Sequence, residues 1–262
     1  MKKSSSFLIA MLLLSQLVMA GKPKKIFYKE QTIETPEATI TVVDGVSEED
    51  YIKFKLRIKN KSADALLLKT SDVVLILDGK EVKAEHEKSL IIAPYDDASR
   101  VIDVKGDYRV SSFTVRVEGL SKAKTLENSL HAPDFHLPAS VRSFNVGAFN
   151  AVLDRDVRTT DLVDISFKAT YSGAMIGIVD PSKIGLKLPN GKIYANMRGN
   201  QKMMFMEPGM EKTLAMDWKK IPVREADTQF AELEILFRDA FKEAEVIPIK
   251  APMLKLETES TK

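Results

Sequence analysis

The sequence predicts an all-β protein made of two tandem β-sandwich domains. Three observations predict it: short segments that alternate polar and apolar residues, turn-forming residues between them, and an ordered set of matches between the two halves of the chain. A period of two puts one face of a strand on a core and the other in water. Short half-apolar strands of this kind need a second sheet to cover them, the condition met by a sandwich or barrel. A sustained 3.6-residue period is almost absent.

Residues 51–58 (YIKFKLRI) set the pattern. Ile52, Phe54, Leu56 and Ile58 face one way, and Lys53, Lys55 and Arg57 face the other, a series that Lys59 extends. Asn60-Lys61-Ser62 reads as a turn. Residues 73–77 form an apolar strand that runs into Asp78-Gly79, a strong hairpin signal. Strands over 89–93, 101–104 and 113–117 complete the first set.

The second half repeats this order. Residues 164–171 (DISFKATY) match the strand at 51–58, and a serine-containing turn follows again. Residues 184–188 lead into Asn190-Gly191-Lys192, 112 residues after Asp78-Gly79-Lys80. Pro208-Gly209 lies 114 residues after Pro94-Tyr95, and residues 233–237 lie 120 after 113–117. Loop insertions would make the offset grow in this way, so the matches favour tandem duplication. Pro133 and Pro138 favour an extended connector between the halves. The expected division is an N-terminal extension over 21–36, one sandwich over 37–129, a linker over 130–136, a second sandwich over 137–256 and a tail over 257–262. The stretches 21–37 and 255–262 are expected to be loosely ordered.

The N-terminus reads as an export signal. Lys2 and Lys3 precede an apolar run at 7–14 (FLIAMLLL), and Val18-Met19-Ala20 offers the small residues of a signal peptidase site. Cleavage after Ala20 would leave Gly21 first. The apolar run falls short of the about 20 residues that span a bilayer, so no stable membrane span is expected after cleavage. Lys22, Lys24 and Lys25 directly after the site run against translocation, and the alternative is an uncleaved anchor. An extracytoplasmic location, periplasmic or secreted, is expected. With no cysteine in the chain, there are no disulfides and no lipobox, and each domain depends on its own core.

Residues 1–20 hold two of the 39 basic residues and none of the 37 acidic ones, so the remainder is formally neutral. A neutral chain offers no global field for nucleic acid. Hydrophobic content of 44% is that of an ordinary globular protein.

The turn motifs carry a resemblance. Asp78-Gly-Lys-Glu-Val82, Asn190-Gly-Lys-Ile-Tyr194 and Glu207-Pro-Gly209 follow strands in the order found in telokin-like, immunoglobulin-type accessory domains of secreted bacterial proteins and lipoproteins. Each half resembles such a domain, with Pro94-Tyr95 in place of Pro-Gly in the first. The resemblance implies two tandem immunoglobulin-like β-sandwich domains with no shared catalytic residues, acting through surface contacts with proteins or envelope components.

Candidate sites are few. Met197, Met203, Met204, Met206, Met210 and Met216 are six of the eleven methionines. Thioether sulfur suits Cu(I), but methionine also fills cores and adaptable contact surfaces, the reading preferred here. No histidine follows His136 to assist a copper site. His131, Asp134 and His136 have zinc-compatible chemistry, yet a linker does not preorganise ligands. His86 reads as solvated. Acidic stretches at 44–50 and 154–161 read as solvated hairpin tips rather than Ca²⁺ sites. Trp218 reads as an anchor of the second core. Asn60-Lys61-Ser62 is a glycosylation sequon. No hydrolase elbow, zincin, P-loop or cysteine nucleophile is present. The expected protein is therefore a non-enzymatic binding or structural component of the cell envelope, without cofactor, acting on protein partners. The alternatives are a periplasmic chaperone that offers an edge strand, for which the basic strand at Lys53–Lys59 is the candidate, and a methionine-rich copper carrier.

Overall fold

The computed structural model describes residues 25–84, 89–128, 130–199 and 201–259. The expected signal peptide and His86 lie outside the described residues. No α-helix occurs among the described residues; two short 3-10 turns, Thr70–Asp72 and Pro181–Lys183, interrupt the strands. The all-β expectation holds.

The strands of the first half are β1 (Ile26–Tyr28), β2 (Gln31–Glu34), β3 (Ala38–Ser47), β4 (Tyr51–Asn60) and β5 (Ala65–Lys69). They continue as β6 (Val73–Leu77), β7 (Lys80–Lys83), β8 (Ser89–Ile92), β9 (Asp97–Lys105), β10 (Ser112–Val117) and β11 (Leu120–Thr125). The second half contributes β12 (Phe135–Leu137), β13 (Ser143–Val146), β14 (Phe149–Thr159), β15 (Leu162–Tyr171), β16 (Ile176–Val179) and β17 (Gly185–Lys187). The chain ends with β18 (Ile193–Ala195), β19 (Met204–Met206), β20 (Glu211–Lys219), β21 (Leu233–Leu236), β22 (Phe241–Pro248) and β23 (Met253–Glu257).

These strands divide into two compact units. The first unit takes the described residues up to Ser62, then Leu68–Leu120, then those from Lys250 onward. One of its sheets has the order β1-β3-β4-β9, with β2 also on β3, and the other has the order β23-β10-β6-β7. Ile52, Phe54, Leu56 and Ile58 are all buried, as the alternation requires. Tyr28 of β1 meets Phe113 of β10 edge to face, with ring centroids 4.7 Å apart.

The second unit takes Ala63–Leu67 and Ser121–Ile249. Its sheets have the orders β13-β14-β15-β20 and β12-β21-β17-β18. A further set of its strands has the order β19-β16-β22-β11. Phe135, Phe144, Phe167 and Phe237 pack together in the core, the Phe135–Phe167 centroids 4.9 Å apart. Trp218 is fully buried there, and its indole N–H donates to the Tyr194 carbonyl at 3.1 Å.

Strand order corresponds between the units. β3-β4-β9 parallels β14-β15-β20, and β10-β6-β7 parallels β21-β17-β18. The β3–β4 ladder slips between Val43 and Val46, and the β14–β15 ladder slips between Leu153 and Arg155. Each 3-10 turn sits directly before the matching strand, β6 or β17.

Three expectations need correction. The N-terminal stretch contains β1 and β2, both paired with β3, because Tyr28 supplies a core side chain. The C-terminal stretch contains β23, which pairs with β10 and buries Leu254 and Leu256, so it adds to the first unit's sheet rather than trailing from the second. The expected linker is short, since Leu130 already bridges to Phe241 and β12 begins at Phe135.

Candidate interaction surface

Alternation along β4 leaves its cations on the face opposite the core. Lys53, Arg57 and Lys59 are exposed and Lys55 is half-buried. β4 itself lies between β3 and β9, so it is a central strand and cannot be the free edge the chaperone alternative assigned to it. Side-chain alternation specifies a face, whereas ladder hydrogen bonds lie in the plane of the sheet, so a basic pattern is silent on which backbone is free.

The strand that ends this sheet is β9, and no other strand among the described residues pairs with its outer side. It pairs with β4 in a register that sets Lys53 opposite Asp103, Lys55 opposite Val101 and Leu56 opposite Arg100. Arg100 thus occupies a core-side position of the pleat, yet it is exposed, because a charge there turns outward past the sheet edge. A groove of about 410 Å³ runs here, lined by Lys53, Lys55, Thr70, Ala84 and β9 from Ser99 to Asp103. Val101, 52% exposed, is an apolar side chain among the cations. Lys53, Lys55, Arg57 and Arg100 form no ion pair among the described residues.

The matching face of the second unit is different in charge. In its register Asp164 lies opposite Asp217, Ser166 opposite Ala215 and Phe167 opposite Leu214. Asp164 is paired with Arg155 at 3.1 Å and with Arg198 at 3.7 Å, and Lys168 lies 3.7 Å from Asp154. Lys212, opposite Ala169, stands where the first unit has Arg100, and it is half-buried where Arg100 is exposed. One scaffold carries a neutralised face and the other an open cationic one.

The loop that leads into β9 is strained and clasped. Asp96 N donates to the Ala93 carbonyl at 3.2 Å, closing a turn around Pro94-Tyr95. Tyr95 takes φ 59, the conformation that Gly209 takes at φ 79 in the Glu207–Met210 turn. A side chain in this region costs about 1–2 kcal/mol, and Tyr95 is 69% exposed. Buried Asn60 holds the same turn: its amide donates to the Ile92 and Ala93 carbonyls at 3.3 and 3.0 Å, and its oxygen accepts from Ser62 N at 2.9 Å. The sequon's acceptor nitrogen is therefore engaged inside the fold.

Other candidates are dispersed. Met206 and Met216 are fully buried, Met204 and Met210 pack partly against the second core, and Met197 and Met203 are exposed. Met204 and Met206 do share a strand face, but their burial is unequal. His131, Asp134 and His136 are exposed; only His136 lies in a strand, with Nδ1 3.9 Å from Glu234. Among the described residues no three His, Cys, Asp or Glu side chains gather as a metal site. The acidic stretches are partly strand, since Asp44–Ser47 ends β3 and residues 154–159 end β14. Sequence reasoning missed Arg100 and the β9 edge. The available signal was the break that Arg100 makes in an otherwise alternating strand.

No family model matches the chain, and no curated protein matches it. A solved structure of a conserved protein of unknown function from Pseudomonas aeruginosa PAO1 is similar over 91% of this chain and 98% of its own, at 7% identity and TM-score 0.14. So slight a likeness carries no argument. No helix among the described residues is long and apolar enough to cross a membrane.

Proposed function

We propose that the chain is an exported, non-enzymatic binding or structural protein of the cell envelope, acting through protein–protein contacts and built from two tandem immunoglobulin-like sandwiches. The shared strand orders, the matching ladder slips and the matching 3-10 turns support the duplication. The basic start, apolar run and Val18-x-Ala20 site support export. One observation carries the assignment to contacts: four cations without ion-pair partners line the β4–β9 side of the first unit, where the second has neutralised its charges. Structural charges are normally distributed in mixed sign, so a cluster in which cations outnumber the single acid Asp103 beside an open groove suits a partner.

A second reading, the chaperone, is favoured by one fact: β9 is a nine-residue strand at the end of its sheet. Placing a photo-crosslinking residue at Ser99, with Glu211 as the matching control, separates the readings in the native host. A structural or binding component gives one stoichiometric adduct at Ser99 throughout growth. A chaperone gives several adducts that decay as clients assemble. No adduct at Ser99 would remove this face from the proposal. N-terminal sequencing from the envelope or secreted fraction tests export, and Met1 in a membrane pellet would overturn it.

A further inference from the structure

We infer that β9 of the first unit receives an extended, acidic segment of a partner protein as an added strand. This rests on the contact reading above and specifies the chemistry of the partner. Strand addition needs an edge that is long enough, room beside it, and side-chain chemistry that selects the incoming strand. The edge is β9, nine residues long and last in its sheet. Room is provided by the groove of about 410 Å³ that follows Ser99 to Asp103.

Selection comes from charge. An added strand points successive side chains to opposite faces of the sheet. On the outer face they would meet exposed Val101, with Lys55 opposite it, and Asp103, with Lys53 opposite it; on the core side they would meet Arg100, with Thr70 also lining the groove. Cations therefore stand on both faces of the incoming strand and outnumber the one acid, Asp103, with Val101 offering one apolar contact. An acidic strand is favoured and a basic or self-like one is repelled. The same charges deter pairing between two copies of β9, a known use of inward-pointing charge on an edge. A phosphate polyanion would satisfy the cations but leave the amides and carbonyls of the edge without partners. That favours a peptide.

The test uses the purified protein and a synthetic peptide of alternating Glu and Val, about eight residues long, within the range of natural strands. Calorimetry should show saturable binding that weakens with salt, and hydrogen exchange should slow in the segment from Ser99 to Ile102. Reversing two cations, Lys55→Glu with Arg100→Glu, should weaken binding roughly tenfold or more, while Lys168→Glu in the second unit leaves it unchanged. Both changed residues lie at the surface, and an unaltered thermal transition would confirm that the variant folds. Two further probes keep the charge and remove the strand: the same peptide N-methylated at alternate amides, and a single-stranded DNA oligonucleotide. Either binding as well as the parent peptide would show that charge alone is read and would overturn the inference. So would failure of the parent peptide to bind, which leaves the cations as edge protection only. If Ser99 crosslinks a native partner that this peptide does not displace, the contact reading stands and strand addition fails. Peptide binding without any native adduct would count against the contact reading instead.

Discussion

Replacing Leu256 by alanine asks whether the C-terminal strand is part of the first unit's core. Leu256 is fully buried on β23, opposite Phe113 of β10, with one methyl group facing Gly45 of β3. The substitution removes three carbons from a packed site. At about 0.8 kcal/mol per buried carbon the transfer loss is near 2.4 kcal/mol, and the residual cavity carries the expected cost to about 2–5 kcal/mol. Every 1.4 kcal/mol is tenfold, so globally protected amides of β4 and β10 should exchange about 30 to 4,000 times faster. Hydrogen exchange read by mass spectrometry measures this strand by strand. Lys255→Ala, one residue away on the exposed face, should stay within about 0.5 kcal/mol of the parent. Unchanged exchange in β4 and β10 would refute the assignment of β23. Acceleration confined to β14 and β15 would return the C-terminal residues to the second unit.

Three further outcomes follow from named contacts. Asn60→Ala should cost about 1–3 kcal/mol, because it removes a donor from the Ile92 and Ala93 carbonyls and the acceptor of Ser62 N, and chemical denaturation should show a lower midpoint. Tyr95→Gly should stabilise by about 1 kcal/mol through relief of the left-handed backbone, read as a raised thermal midpoint; a lowered midpoint would mean that the exposed ring makes contacts that outweigh the strain. The Tyr171 phenol donates to Glu243 at 2.8 Å, and burial followed by that hydrogen bond pushes its pKa up to about 12 from 10.0. A raised folded value favours the protonated phenol, so its contribution is complete below pH 10.0 and is lost as pH rises through about 12. Denaturation followed by Trp218 fluorescence should show that decline in the parent and a shallower one in Tyr171→Phe, since lysine titration is common to both.

Most strands were legible because each is a local pattern. The expected strand at 51–58 is β4 from Tyr51 to Asn60, that at 73–77 is β6, and that at 113–117 falls within β10. Turn chemistry was legible for the same reason. Asp78 and Gly79 both take positive φ, as a two-residue hairpin requires, and Gly191 does so after Pro189-Asn190. The basic face of β4 was also plain in the residues, but its place in the sheet was not. A strand's neighbours are chosen by residues far away in sequence, and β9 reaches β4 only after four intervening strands. The candidate surface was therefore half visible: Lys53, Lys55 and Arg57 were noticed on the wrong kind of strand, and Arg100 was left out.

The C-terminal strand shows most clearly where local reading ends. In the second unit, β21 is flanked by β12, which comes just before β13 in the same unit. In the first unit the equivalent place beside β10 is taken by β23, from the far end of the chain. Both pairings are antiparallel, and both newcomers bury alternate side chains, Phe135 and Leu137 in one case and Leu254 and Leu256 in the other. An offset search finds strands that keep their order, and these two do not: one precedes β13 and the other begins 128 residues after the end of β11 (Thr125 to Met253). Five residues, Met-Leu-Lys-Leu-Glu, carry too little alternation to announce a core strand beside a polar end. The demand for them is visible only from β10, whose Phe113 and Val115 need cover that no nearby segment of the first half supplies. A unit whose last strand comes from the opposite end of the chain cannot be cut at the midpoint, so separating the halves near residue 130 should expose β10 and leave the first half short of a strand.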